Sequence, residues 1–213
     1  MKTIKPSFTI EDVVDGEKIL KNIERWGRRC YKSEEKITID SASAFVKKWV
    51  IGAGHETMIE HEKVTVSIIC DRGVTHEIVR HRLASYSQES TRYCNYGSNK
   101  FGGEITVIEP CFWNSPSEAD KAKWAIWGVA MRAVEEAYLK LTKLGATAQE
   151  ARSVLPNSLK TEIVMTMNLR EWRHFFRLRC SPKAHPQMRE ITIPLLEEFR
   201  KLIPVVFDDI NVE

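Results

Sequence analysis

Apolar residues recur along the chain with two periods, and their alternation sets out the expected elements. Residues 8–14 read as extended chain. Between 16 and 30, Ile19, Ile23 and Trp26 fall at spacings of four and three, which puts them on one helical stripe. Asp40 or Ser41 can cap a second helix, in which Ala42, Phe45, Val46 and Trp49 face inward and which runs out at Gly52-Ala53-Gly54. Val64 to Cys70 is β-branched and alternates before turning wholly apolar, the pattern of a strand with one buried end. After the turn at Asp71-Arg72-Gly73, residues 73–82 predict a helix with Val74, Ile78 and Val79 inward and His76, Glu77, Arg80 and His81 on its polar side. A loop follows, then a strand over 104–109.

The second half is more helical. Ser115-Pro116-Ser117-Glu118 has the form of a capping box with proline at the first helical position, opening a long helix over 116–144. Trp127, Met131, Val134, Tyr138 and Leu141 keep a four-three rhythm along it, so one face is a core or interface seam, and Gly145 ends it. Thr147-Ala148-Gln149-Glu150 is a second capping box, starting a short helix to Leu155 that Pro156 stops. A strand over 161–168, a helix over 169–179 and a last helix over 186–201 complete the order, with Pro194 expected to kink or fray the last. Strands separated by helices of unequal length make the class α+β. No repeat, low-complexity linker or shift in composition divides residues 1–213, so one domain is expected.

Composition adds little beyond this. Hydrophobic content of 43% and charged content of 29% are those of an ordinary globular protein, and a net charge of +3 does not by itself call for nucleic acid. The five cysteines (Cys30, Cys70, Cys94, Cys111 and Cys180) are scattered without a C-x-x-C pair, which argues against zinc ribbons and disulfide frameworks and for reduced thiols in a cytoplasmic protein. Met1 to Pro6 has no apolar run of a signal peptide, and no stretch is long enough to span a membrane.

Local clustering of charge is more informative. Arg80-His81-Arg82 opens a stretch to Tyr93 that holds Ser85, Ser87, Ser90, Thr91 and Arg92. Arginine is seldom buried without a partner, whereas its planar fork, with hydroxyls nearby, suits phosphate. Two basic clusters, at 80–82 and at 92, could hold one polyanion at two points or two ligands side by side.

His55, Glu56, Glu60 and His61 raise a metal reading. The histidines lie six apart and the His-Glu-x-x-His motif is absent, so a glycine-hinged loop presenting His55 and Thr57 to a ligand, or a plain capped turn, is favoured and no metal site is expected. Arg152 reads as a surface arginine. Arg170, His174 and Arg177 share a helical face from which Arg173 drifts, either as a solvated basic face or as a seat for a flavin, a nucleotide phosphate or nucleic acid. Ser90 and Cys94 belong to no recognisable nucleophile arrangement, and no G-x-G-x-x-G follows a strand.

Arg80-His81-Arg82, seven residues and Ser90 resemble the signature of the flavin-dependent thymidylate synthases. The surroundings extend the resemblance: Gly54-His55-Glu56-Thr57, Ser85-Tyr86, Arg92-Tyr93, Ala151-Arg152-Ser153-Val154-Leu155-Pro156, Thr166-Met167-Asn168-Leu169-Arg170 and Leu178-Arg179, in order over roughly residues 10–200. It implies a mixed or antiparallel sheet flanked by helices, one of them long, in a homotetramer whose active sites form where subunits meet. It further implies FAD as cofactor, and conversion of dUMP to dTMP with NADPH and methylene-tetrahydrofolate as co-substrates.

By the same resemblance, Thr57, Arg80, His81, Arg82, Leu83, Gln88, Asn168, Arg170 and His174 would contact FAD. Glu77, Arg80, Gln88, Glu89, Ser90, Thr91, Arg92, Arg152 and Arg179 would surround dUMP, with His55 near the flavin ring and the folate. Arg179 would be the catalytic residue, its fixed cation favouring ionisation at uracil N3. Several positions depart from the family pattern: Glu77 stands where glutamine often lies, Gln88 where some members have glutamate, His174 where some have asparagine, and Glu89 adds a charge. Two alternatives follow, a related enzyme for another pyrimidine nucleotide and, from a different class, a basic nucleic-acid-binding module. Membrane and nucleic-acid partners are not expected.

Overall fold

The structure is a computed structural model that describes residues 1–212. The fold is α+β, and the chain divides into two compact units built from interleaved segments. The first comprises Met1–Ser7, Ile68–Arg80 and Ser87–Val164; the second comprises Phe8–Ser67, His81–Tyr86 and Met165 onward. Strands β1 (Lys2–Ile4), β2 (Ser7–Ile10), β3 (Lys63–Asp71), β4 (Ala84–Gln88), β5 (Thr106–Ile108) and β6 (Lys160–Asn168) form two sheets, one of order β1-β5 and one of order β2-β3-β6-β4. No helix is long and apolar enough to cross a membrane among the described residues.

β3 and β6 alternate as strands with one buried face should: Val64, Val66, Ile68 and Cys70 are buried on one, Thr161, Ile163, Met165 and Met167 on the other. The extended segment expected over 8–14 narrows to Ser7–Ile10, after which Glu11 N–H donates to Thr65 O and Thr65 N–H donates to the Asp12 carboxylate. β1 was not anticipated; it pairs in parallel with β5, in register Lys2 to Thr106, and three residues are too few for alternation to show.

In the first unit, α3 (Arg72–Ile78) is capped by Asp71, whose carboxylate accepts from Val74 N–H at 2.7 Å. It ends at Ile78 rather than 82, with Val79 exposed, so Arg80 and His81 lie beyond the helix. The expected loop after it contains a strand, β4, whose alternation is hidden because its residues are small or hydroxylated. The long helix α4 (Glu118–Lys143) starts later than expected. Ser117 is its cap, accepting from Asp120 N–H at 3.2 Å, while Ser115 donates to the Asp120 carboxylate at 2.7 Å and leaves Pro116 outside the helix. Met131 and Tyr138 of α4 join Tyr96, Ile105, Val107, Ala151 and Leu159 in the core of this unit. The capping box at Thr147 forms as expected and opens α5 (Ala148–Ala151), which tightens into a 3-10 turn, Arg152–Val154.

In the second unit, α1 (Gly16–Tyr31) buries Ile19, Leu20, Ile23 and Gly27. A Cβ on Gly27 would lie 2.3 Å from Met58 Sδ and 2.5 Å from Phe45 Cζ, so only glycine lets these side chains close on the helix. In α2 (Ser41–Val46), Asp40 makes no side-chain cap; Ser41 Oγ accepts from Thr38 N–H and donates to Glu24, and the helix then widens into a π-helical turn, Lys47–Gly52. α6 (Leu169–Arg179) is capped by Asn168, and α7 (Pro186–Leu202) runs unbroken through Pro194, its buried Ile191, Leu195, Leu196 and Phe199 anchoring both sides of the proline. Trp172, Phe175, Phe176, Phe199 and Phe207 interlock edge-to-face and stacked at centroid distances of 4.8–5.8 Å. Each such ring contributes about 1.5–3 kcal/mol by burial, which fixes α6 and the polar residues on its other side.

Candidate active site

The candidate residues divide between the two units. In the first lie Glu77, Arg80, Gln88, Glu89, Ser90, Thr91, Arg92 and Arg152. Gln88 sits at the end of β4, and its amide donates to Thr75 Oγ1 (3.0 Å) and Thr161 Oγ1 (3.2 Å). Arg72 Nη1 donates to Glu89 O and Thr161 Oγ1, both at 3.4 Å. The backbone leading into the basic turn is therefore pinned from inside by Arg72, Thr75 and Thr161, none of which the sequence singled out. Ser90 starts a tight turn: its carbonyl accepts from Tyr93 and Cys94 N–H, and its hydroxyl accepts from Arg92 N–H. Thr91 is turned inward and buried, whereas Arg92 is exposed, its guanidinium 5.5 Å from the Tyr93 ring centroid.

Glu89 does not add a bare charge to this turn. Its carboxylate accepts from Tyr96 Oη at 2.6 Å and from Lys160 Nζ at 2.7 Å, and burial, reinforced by Glu89, pushes the Tyr96 phenol well up. Gln88, Glu89, Tyr96, Lys160 and Glu162 are among the residues lining a cavity of about 500 Å³. Glu77 is half-buried, and Arg80 and Arg152 are exposed.

The second unit holds His55, Thr57, His81, Arg82, Leu83, Asn168, Arg170, His174 and Arg179. Gly54, at φ +72°, turns the chain so that His55 N–H donates to Trp49 O and the imidazole stacks on the Trp49 ring at 5.7 Å, which in turn stacks on Tyr31 at 6.2 Å. Tyr31, His55, Thr57 and Arg170 are among the residues lining a cavity of about 340 Å³. Leu83, 74% exposed, and Asn168 belong to another of about 360 Å³. Asn168 also has a structural duty, its Oδ1 accepting from Glu171 N–H at 2.9 Å.

Arg170, Arg173 and Arg177 of α6 are paired with carboxylates within the unit, while Arg170 and Arg177 keep about half of their side-chain surface exposed. Arg173, only 1% exposed, donates Nε to Glu56 at 2.9 Å and grips Asp209 with both terminal nitrogens at 2.6 and 2.8 Å. Arg177 reaches the same two carboxylates at 3.3 Å, and Arg170 pairs with Glu60. Burial raises the Asp209 carboxyl, but hydrogen bonding and charge from Arg173 and then Arg177 outweigh it and hold the group below its usual range. Glu56 and Glu60 thus serve arginines, and His61 packs against Trp26 at 4.9 Å rather than beside His55.

His81 is likewise engaged within the unit. Its side chain is 5% exposed and both ring nitrogens are engaged: Nδ1 with Glu171 Oε1 at 3.1 Å, Nε2 with Arg179 Nε–H at 3.0 Å. The ring is turned into the unit. His81, Glu171 and His174 place potential ligand atoms within 4.8 Å of one another, but an arginine donor on Nε2 makes the group a hydrogen-bond chain and no set of metal ligands. Burial pushes the thiols of Cys70 and Cys180 up, the second to about 11, so neither is a ready nucleophile.

Comparison with known proteins identifies the family. Residues 13–205 match the family model described as thymidylate synthase complementing protein. A flavin-dependent thymidylate synthase of Geobacter sulfurreducens is 35% identical over 189 residues, covering 85% of this chain and 78% of that one. Another, of Pyrococcus abyssi, is 37% identical over 180 residues, covering 84% and 71%. Among solved structures, the UMP/dUMP methylase PolB from Streptomyces cacaoi bound with 5-Br dUMP has a similar fold at a TM-score of 0.79 and 16% identity, covering 98% of this chain and 96% of that one. Thymidylate Synthase X from Helicobacter pylori with FAD and dUMP does so at 0.71 and 19%, covering 95% and 99%. The match over residues 13–205, with relatives more than 30% identical over most of the chain, places this chain in the family of the flavin-dependent thymidylate synthases.

Proposed function

We propose that this chain converts dUMP to dTMP with FAD as cofactor, methylene-tetrahydrofolate as carbon donor and NADPH as reductant. One contrast among its arginines carries the reading. Arg170, Arg173 and Arg177 are committed to Glu56, Glu60 and Asp209. Among the described residues, Arg80, Arg82 and Arg152 are exposed and make no side-chain hydrogen bond or ion pair, and Arg92 stacks only on its neighbour. Exposed guanidinium forks on the family motifs suit two phosphorylated ligands. Arg80 and Arg82 would hold the FAD pyrophosphate, with Thr57, Leu83, Asn168, Arg170 and His174 nearby, and Arg92 and Arg152 the dUMP phosphate, with Gln88, Ser90 and Glu77 about the base. His81 would contribute through its backbone alone.

When bound, FAD would supply the reducing equivalents. The protein's share is binding and orientation, with Arg179 beside the uracil edge, where a fixed cation favours the N3 anion and activates the ring without an enzyme thiol. Lys160 neutralises Glu89, so the extra carboxylate of the turn does not oppose an anionic nucleotide. The family match spans both units, which supports a single functional domain. The homotetramer that the family resemblance implies is supported by a second apolar stripe on α4: Ala122, Ile126, Val129, Ala130 and Ala133 are all exposed, Ile126 by 70% and Val129 by 60%. A cytoplasmic setting fits the five free thiols.

The test is direct. Purified protein should carry flavin absorbance and form dTMP from dUMP, methylene-tetrahydrofolate and NADPH. Arg179→Ala should lower turnover by roughly 100-fold or more with the far-UV spectrum unchanged. Absence of dTMP from flavin-loaded protein refutes the reading; near-normal turnover by the variant removes Arg179 from its role.

A further inference from the structure

The second unit contains a buried polar chain that the proposed reaction does not itself require. Glu171, 7% exposed, sits on the first turn of α6, and His81, 5% exposed, lies against the same helix with its ring 4.9 Å from that of Phe175. Arg179, at the last turn of α6, donates Nε–H to His81 Nε2 at 3.0 Å. An imidazole nitrogen can accept that bond only if it carries no proton, so the ring proton stands on Nδ1, where it donates to Glu171 Oε1 at 3.1 Å. One acceptor, one tautomer and one arginine orientation are thereby tied together. Burial favours the neutral ring, and the charge of Arg179 does so too, against the opposing pull of Glu171.

The chain is satisfied along its length and runs outward, from a buried carboxylate to a half-buried guanidinium. A core serving stability alone would be as well filled by apolar groups of the same size, because burying a charge is costly unless geometry repays it. The backbone of Arg179 is fixed separately: its carbonyl accepts from the fully buried Thr192 at 2.9 Å. With backbone and Nε both held, the plane of the fork is set before any ligand arrives.

We propose that His81 and Glu171 are positioning residues that hold the Arg179 guanidinium in the orientation it needs at the pyrimidine ring. The inference rests on the proposed role of Arg179. It differs from a ligand-binding role for the His81 ring, because it assigns that ring to arginine and carboxylate.

Two measurements test it. In protein labelled with 15N-histidine, His81 should show the neutral Nδ1–H tautomer near neutral pH; a protonated ring or the Nε2–H tautomer overturns the proposal and requires no variant to fold. In steady-state kinetics, Glu171→Leu and His81→Leu should each lower kcat about 10- to 100-fold with the KM for dUMP changed by no more than about threefold. Glu171→Gln, whose amide oxygen still accepts from Nδ1–H, should restore most of kcat. Loss of kcat by Glu171→Gln equal to that of Glu171→Leu, or wild-type kcat in both leucine variants while Arg179→Ala is inactive, overturns the positioning role. Full activity of Arg179→Ala removes the reading beneath it, a failure distinct from the other two.

Discussion

At the scale of single residues, the separating property is what each arginine already holds. Eleven positions in sequence order, from 170 to 180, crowd three carboxylate-bound arginines beside Arg179, and nothing in their spacing tells them apart. The partners come from far away: Glu56 from the glycine-hinged turn and Asp209 from the segment after α7. The sequence could show that compensation was needed and could not show from where. The Arg173–Asp209 pair is buried on one side and about 30% exposed on the other. Asp209→Asn should therefore destabilise by on the order of 2 kcal/mol, less than the loss of a fully buried pair. Since the Asp209 carboxyl is held below its ordinary 3.8, its contribution is complete above that pH and fades as pH falls through the lower folded value. Urea midpoints of wild type and variant should differ at pH 7 and converge in strong acid; a constant gap would assign the effect to packing.

At the scale of elements, periodicity located the α-helices and four of the six strands, and its failures have local causes. β3, β6, α1 and α6 carry long, unambiguous patterns and fall within a residue or two of expectation. β4 is written in serine, tyrosine and glutamine, so its alternation carries almost no hydrophobic contrast. α4 begins at Glu118, capped by Ser117, because a side-chain bond from Ser115 to Asp120 competes with the earlier capping box. Gly27 shows what pattern alone does not reveal: it occupies a helix interior, where glycine usually costs about 1 kcal/mol against alanine, yet the facing Phe45 and Met58 leave no room for a methyl group. Gly27→Ala should therefore destabilise by about 1–3 kcal/mol, read as a fall in thermal midpoint. A rise, as helix propensity alone would give, would show that the contact relaxes freely.

At the scale of the whole molecule, α4 has two apolar faces. The inner one, with Met131 and Tyr138, is used within the first unit; the outer one, through Ile126 and Val129, is exposed. Under the proposed tetramer the outer stripe is covered by another copy, and Ile126→Asp with Val129→Asp should lower the mass seen by light scattering while leaving helix content unchanged. An unchanged mass would assign assembly to a different surface. The proposed ligand sites rest on motifs whose residues are local in sequence, in runs such as Arg80 to Arg92. The pinning groups Arg72, Lys160, Glu171 and Asp209 were not, because each acts on a residue at least 17 positions away.

The interleaving of the two units has a consequence for how the chain acquires its structure. Each unit takes up segments on both sides of residues 81–86, and the later unit still needs residues from 165 onward. The first cannot close before its last segment, ending at Val164, has been made, and the second waits for the residues that follow it. The decisive contacts span large sequence separations, such as Trp172 to Val64 at 108 positions, so loop-closure entropy must be met before they form, and high contact order slows folding. The nascent chain therefore waits with β3 unpartnered by β6 for nearly a hundred residues, an interval in which an exposed apolar strand is most open to aggregation and to capture by chaperones.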